Sequence, residues 1–444
     1  MFTETAAGRV EIDNSIFNPY LPDFVRSPWA VWERLVCDFP VAWHKDMRMW
    51  VVSSHDACWE ALQNNSFSAS YKFWEHAPPP KPESEQNDFE KAMDKCLFMV
   101  SAEEHMRLRK LTMPAFSKPV MAKINAKIRD LIVECFDQIG TPDQFEAFSM
   151  ISEKLSVRSI ARMVGVPTNM ESFFHDFAVN VIRATRVNLP PEERERAMQG
   201  SLPGLKYFLD LMKERRAAAD PGNDFIGSMI ASSDNGDKLD DYSILAMIQA
   251  VIVAGADAAT DLHTYLIKGL LSNPEQYKLL RSRPELMENA IIELLRVGAI
   301  AKTPQFRFAT EDVLFRGQQI RKGQAILLNL SAAWVDPQKW ENPRKLDITR
   351  KLDGNLVFGG GAHFCIGTYL VRAQGGLMIT ELMKRFPNAE LVNGDGDIEY
   401  DYRHHNARRI SRLLVKTNLV ESRGLEYSAT EETSPNEEQT EATA

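Results

Sequence analysis

Apolar positions recur at helical spacing along most of the chain, and strict alternation is confined to short runs. Residues 30–37 predict a short amphipathic helix. Residues 41–44 and 49–53, joined by a polar turn at 45–47, predict a hairpin, and 58–62 returns to helix. Residues 70–95 hold Pro78, Pro79, Pro80 and Pro82 among many charges and predict a long loop. From 103 to 230 the pattern is mostly helical, broken at Pro167, Pro190–Pro191 and Pro221–Gly222. A long apolar helix is predicted over 242–272, capped by Asp240 or Asp241 and ended by Pro274. A further helix is predicted over 284–296. Strand-like runs at 305–310 and 325–330 follow, and a glycine-rich loop leads into a helix over 367–385. The fold class that follows is mainly α with small β-sheets.

The chain has 444 residues, 44% of them hydrophobic, and a formal net charge of −9. That length allows several domains or one large one. Residues 421–444 are rich in Glu and poor in large apolar side chains, so they read as an acidic disordered tail. Residues 1–420 are expected to form a single domain. No basic stripe is present, which argues against a nucleic-acid partner. The five cysteines are scattered without a CxxC pair, which disfavours a cysteine-built zinc or iron–sulfur site and fits a reducing compartment. No secretory signal is visible at the N-terminus. The longest apolar run, 244–256, is broken by Gln249 and falls short of the roughly 20 residues of a membrane span. A cytoplasmic protein without a membrane segment is expected.

The segment Phe358-Gly359-Gly360-Gly361-Ala362-His363-Phe364-Cys365-Ile366-Gly367 carries the most specific chemistry. Its glycines allow positive φ and a close approach to a flat ligand. Cys365 precedes a helix whose N-terminal N–H groups and dipole favour a thiolate. A phosphate-binding loop followed by an inert cysteine is the alternative. Neither the GxGxxG spacing nor the Lys-Ser/Thr pair of such loops is present.

This segment resembles the haem-binding signature of cytochrome P-450 enzymes at every fixed position, and Leu370-Val371-Arg372 resembles its continuation. The resemblance spans roughly residues 20 to 418. It implies the P-450 fold, a triangular helical prism around a buried haem b, with the Cys365 thiolate on the iron. Phe358, Gly359 and Gly367 would contact the haem. His105 and Arg109, one helical turn apart, resemble the family's propionate donors, and Arg307 and His363 match two more. Glu293 and Arg296 resemble its Glu-x-x-Arg motif, which is structural; as an isolated pair they would read as a surface i,i+3 salt bridge. Asp347-Ile348-Thr349-Arg350 resembles the segment before the cysteine loop.

Ala254-Gly255-Ala256-Asp257-Ala258-Ala259-Thr260 resembles the oxygen-activating motif of the same family. The resemblance implies small residues, Ala254 and Gly255, beside the haem, and an acid, Asp257, that guides protons to dioxygen. A threonine is expected next, and Ala258 stands there. Thr260 lies about 200° around the helix from Ala258 and faces elsewhere. Three explanations stand open: a substrate hydroxyl or the water it holds completes the relay, the chemistry does not need the relay, or a neighbouring residue or water fills in.

The resemblance further implies a monooxygenase that inserts one oxygen atom from O₂ into a medium-to-large apolar substrate. Electrons would come from NAD(P)H through a ferredoxin and its reductase, and the protein would be a monomer. Pocket residues are expected from 70–100, including Tyr71, Phe73, Trp74, Phe89 and Phe98, and from 170–210, including Phe173, Phe174 and Phe177. Others would come from Met247, Val251, 298–304 and a turn at 404–406. Arg107, Lys110 and Arg372 would face an acidic electron donor. Two rivals remain: a thiolate-haem enzyme of non-insertion chemistry (oxidative coupling, dehydration or isomerisation), and a haem-based sensor or carrier.

Overall fold

The computed structural model describes residues 8–186, 189–302, 305–404 and 406–419. The acidic stretch at 421–444 lies outside the described residues, as do Thr303 and Pro304 of the expected pocket segment and His405 of the expected turn.

Helices dominate: α1 (Trp29–Asp38), α2 (His55–Gln63), α3 (Asp88–Asp94), α4 (Ala102–Thr112), α5 (Lys118–Ile139) and α6 (Glu153–Val164) precede α7 (Glu171–Ala184) and α8 (Pro191–Ala217). Then come α9 (Asp241–Leu271), α10 (Met287–Gly298) and α11 (Thr368–Arg385). Strands β1 (Glu11–Ile12), β2 (Val41–His44), β3 (Met49–Val52), β4 (Phe67–Ser68), β5 (Gln305–Ala309) and β6 (Ala325–Leu328) form one mixed sheet in the order β1-β2-β3-β6-β5-β4. In its register Arg307 of β5 lies opposite Ile326 of β6. A short antiparallel pair, β7 (Glu399–Tyr400) and β8 (Ile410–Arg412), lies near the C-terminal end.

Two large apolar cores result among the described residues, with a small third cluster of Ile292, Trp340 and Leu352. One is built by the helices around α9, and the other lies between the six-stranded sheet, α1 and α2. Helix α9 is the axis of the first and packs against α3, α6, α7, α8, α10 and α11. Asp240 caps its start, accepting the Ser243 N–H at 2.7 Å, and Pro274 opens the next helix. It is long and apolar enough to cross a membrane, but most of that stretch is buried inside the protein, as in a core helix.

The loop expected at 70–95 departs from its reading. Helix α3 forms within it because Asn87 accepts the Glu90 N–H at 3.0 Å while the Glu90 carboxylate accepts the Asn87 N–H at 3.0 Å. Phe89 and Ala92 are thereby buried in the helical core.

Glu293 and Arg296 are not a surface pair. Both are fully buried, and Arg296 donates to the two Glu293 oxygens at 2.7 and 2.8 Å. Its remaining nitrogen reaches the carbonyls of Trp334 and Pro343 at 2.8 and 2.7 Å, and its plane lies over the Trp340 ring. Arg350 donates to Glu293 Oε1 at 2.9 Å from the segment before the cysteine loop. One carboxylate therefore ties α10 to the backbone on both sides of Trp340. Breaking a buried pair leaves an uncompensated charge, so Arg296→Met is expected to cost ~3–5 kcal/mol in urea unfolding. A loss within the scatter of surface substitutions would show that the network holds nothing together.

Candidate active site

The loop before α11 takes its shape from glycines. Gly359 and Gly361 have φ of +71° and +62°, and a Cβ on Gly361 would lie 2.3 Å from the Leu62 carbonyl of α2. The Cys365 N–H donates to the Phe358 carbonyl at 3.0 Å, and Thr368 Oγ1 donates to the Cys365 carbonyl at 2.7 Å. Burial pushes the Cys365 thiol up. The Gly367 N–H, the Thr368 hydroxyl, the Arg109 charge and the Thr368 N–H all pull the other way. The first turn of α11 thus aims its donors at the Cys365 sulfur.

Beside the loop, four basic side chains converge. His105 and Arg109 come from α4, Arg307 from β5 and His363 from the loop itself. The two imidazoles pack with ring centroids 4.0 Å apart. Arg109 donates to the carbonyls of Ala362 and Phe364 at 3.0 and 2.6 Å. Arg307 reaches only its own neighbourhood, the Phe306 carbonyl and Gln305 Oε1. Burial, then the charges of Arg109 and Arg307, lower His105 to about 4. Burial, then His105, Arg307 and Arg109, lower His363 to about 3, and burial lowers Arg307 to about 10. Among the described residues no carboxylate pairs with any of the four, and the buried Nδ1 of His105 has no hydrogen-bond partner. This set fits a ligand that carries carboxylates, which is what haem propionates would supply.

The middle of α9 breaks the burial of its neighbours. Ala254 and Ala258, one turn apart, are exposed, while Ala256 and Thr260 on the other side are buried. Thr260 spends its hydroxyl on the Ala256 carbonyl at 3.0 Å, so it offers no proton on the Ala258 face. Gly255 departs from its expected place: a Cβ there would lie 3.1 Å from Ile160 of α6, so its smallness serves helix packing. Asp257 sits at the edge of the exposed stripe. Arg409 donates to its Oδ1 through both terminal nitrogens at 3.2 Å, and His404 Nε2 stands 3.7 Å from Oδ2. Burial raises the Asp257 carboxyl, but the His404 contact and the Arg409 charge outweigh it and hold the group well below the usual carboxylate range.

Several expectations shift. Phe174 and Phe177 are buried and pack on Phe208 of α8, so they are core. Phe89 is core as well, and Met247 is buried, whereas Phe73, Trp74, Phe98 and Phe173 are exposed. The basic side chains expected to face an electron donor have partners of their own. Arg107 pairs with Glu104 and Asp237, Lys110 with Asp234, and Arg372 with Glu288. The sequence gives no role to Arg409, and it marks Arg350 only as part of a segment resemblance. Their carboxylate partners lie far away along the chain.

In the apoprotein the two imidazoles gain protons on unfolding as pH falls below about 6.5, the value of a free histidine. Stability from keeping them neutral is present above that pH and is lost as pH falls through about 4 and about 3. Apoprotein unfolding in urea is therefore expected to weaken across this window. His105→Gln and His363→Gln should each flatten it, and an unchanged slope in both would show that the cradle is not strained.

The family model described as Cytochrome P450 matches residues 42–396. The epothilone C/D epoxidase of Sorangium cellulosum is 27% identical over 84% of this chain and 90% of its own. The nocardicin C N-oxygenase of Nocardia uniformis subsp. tsuyamanensis is 30% identical over 77% of this chain and 83% of its own. Among solved structures, epothilone D-bound cytochrome P450epoK superposes with a TM-score of 0.81 at 26% identity, over 90% of this chain and 98% of that one. With the thiolate loop, the cationic cradle and the exposed stripe of α9 in place, this chain belongs to the cytochrome P450 family and is a monooxygenase of it.

Proposed function

We propose that this monooxygenase hydroxylates or epoxidises a medium-to-large apolar natural product, with haem b as its cofactor. The observation that carries the reading is the acid-free cluster of His105, Arg109, Arg307 and His363 beside Cys365. In this reading the four hold the haem propionates, Cys365 ligates the iron, and Phe358, Gly359 and Gly367 line the macrocycle. Bound there, a thiolate-ligated haem supplies the activation of O₂ from which one oxygen atom enters the substrate. Ala254 and Ala258 leave room for dioxygen and substrate beside α9. Relatives named for epothilone epoxidation and for polyketide biosynthesis favour a polyketide-like substrate. NAD(P)H serves as reductant through a ferredoxin and its reductase, and residues 1–420 act as one domain of a cytoplasmic monomer.

The missing hydroxyl at Ala258 favours proton delivery by a hydroxyl of the substrate or by water it holds. The same feature supports the second reading, non-insertion chemistry on the thiolate haem. Cys365→Ser is expected to lose the reduced-CO thiolate absorption band, and its retention would sink the assignment. Turnover under ¹⁸O₂ separates the two readings: one labelled atom in the product supports insertion, and none supports coupling, dehydration or isomerisation. Ala258→Thr is expected to change the share of NAD(P)H that ends in product. Tight native coupling on substrates without nearby hydroxyls would rule out substrate-assisted delivery.

A further inference from the structure

The carboxylate at the edge of the open stripe is held more firmly than a proton shuttle needs. Arg409 gives its Nε to Asp261 Oδ1 at 2.9 Å and a terminal nitrogen to Asp261 Oδ2 at 3.1 Å. The terminal nitrogens also reach Asp257 Oδ1 at 3.2 Å, and one of them the Asp257 carbonyl at 3.0 Å. Two acids one turn apart on α9 thus share one guanidinium. His404 Nδ1 accepts the Ala407 N–H at 3.1 Å, so the hydrogen of the neutral ring sits on Nε2, the nitrogen that faces Asp257 Oδ2.

The stretch that carries His404 and Arg409 is itself anchored. Lys302 Nζ donates to the His404 carbonyl, and the Lys302 N–H donates to the Asn406 carbonyl at 2.7 Å. Arg408 is buried, lies over the rings of Trp29 and Trp32, and donates to the carbonyls of Val25, Gly298 and Ala299. Tyr265 of α9 donates to the Arg408 carbonyl at 2.6 Å. Among the described residues, the charged and titratable groups around Asp257 are therefore Asp261 on its own helix, Arg409 and His404 from the β7–β8 connection, and Lys302 behind His404. Asp401 acts on Lys302 in turn.

We propose that Arg409, assisted by His404, is a positioning residue that pins Asp257 as a permanent anion against the β7–β8 connection. Asp257 then acts by its charge and by fixing that wall, and the protons used at the Ala258 face come from bound water or a substrate hydroxyl. An arginine does not release a proton at working pH. Thr260 is spent on its own helix and Ala258 has nothing to offer. The oxygen-side carboxylate and the proton source are thereby separate groups in this chain. The inference rests on the monooxygenase reading only in the part of the test that follows product.

Asp257 should remain ionised wherever the protein is folded. In infrared difference spectra of the haem-loaded protein, acidification should produce no protonated-carboxyl C=O band that Asp257→Asn removes. In Arg409→Gln the restraint is gone and burial dominates, so such a band should appear between about pH 4 and 7 and vanish in the double variant with Asp257→Asn. Arg409→Lys should restore the wild-type spectrum in part. In turnover, Asp257→Asn should lower the fraction of NAD(P)H that ends in product without altering the shape of its pH profile, and Arg409→Gln should add an acid limb. An Asp257-dependent ionisation in the wild-type spectrum or in the wild-type pH profile overturns the proposal, and that comparison does not require Arg409→Gln to fold. Absence of product at every pH would instead count against the monooxygenase reading, and the infrared result would stand by itself.

Discussion

Basic side chains without an acidic partner among the described residues organise the cysteine side of this molecule. His105, Arg109, Arg307 and His363 reach one place from α4, from β5 and from the loop before Cys365. Burial depresses both imidazoles and both guanidiniums, and the neighbouring basic groups depress the imidazoles further. A protein does not hold such a set together without an opposing gain. Part of that gain is local, in the two carbonyls that take Arg109 and in the register that places Arg307 inside the sheet. The rest awaits an anionic ligand, so folding of this region and capture of its ligand are one equilibrium seen from two sides.

The same region would be loose without the buried carboxylate of Glu293. Its two oxygens receive Arg296 and Arg350, and Arg296 continues to the Trp334 and Pro343 carbonyls. These bonds fix the long irregular stretch between β6 and α11, which has little regular structure of its own. Backbone groups in such a stretch need partners supplied from side chains. Arginine serves here because one planar fork satisfies a carboxylate and carbonyls together. The rigidity of the Cys365 loop is thus borrowed from α10, through charge that no solvent screens.

How much of this was legible depends on the distance over which each feature is determined. The Cys365 loop, the Asp240 cap and the strands carrying Arg307 are settled by neighbours in the chain, and they stand where the pattern put them. Helix α3 was legible in principle, since Asn87 and Glu90 have capping-box spacing, but the prolines upstream masked it. Phe174 and Phe177 have a periodicity that suits a pocket and a core equally, and only Phe208, from another helix, decides between them. Gly255 is similar, because a missing side chain does not say which neighbour needs the room. Arg409 and His404 lie about 150 residues from Asp257, and nothing near either end announces the contact.

That last pairing bears on how the two faces of the site divide their work. On the cysteine side Arg109 and Arg307 have no acidic partner among the described residues, so they select what binds. On the α9 side the acids have a basic partner within the protein: Asp257 and Asp261 share Arg409, with His404 beside them. A carboxylate paired in this way is fixed in geometry and resists protonation, whereas a proton carrier needs the two forms of a group to be close in energy. The loss of a hydroxyl at Ala258 and the locking of Asp257 therefore belong together. Once the carboxylate is committed to anchoring the β7–β8 connection, an alcohol beside it would have no proton to receive from that direction. The exposed alanine instead leaves space for a hydroxyl or water that arrives with the substrate.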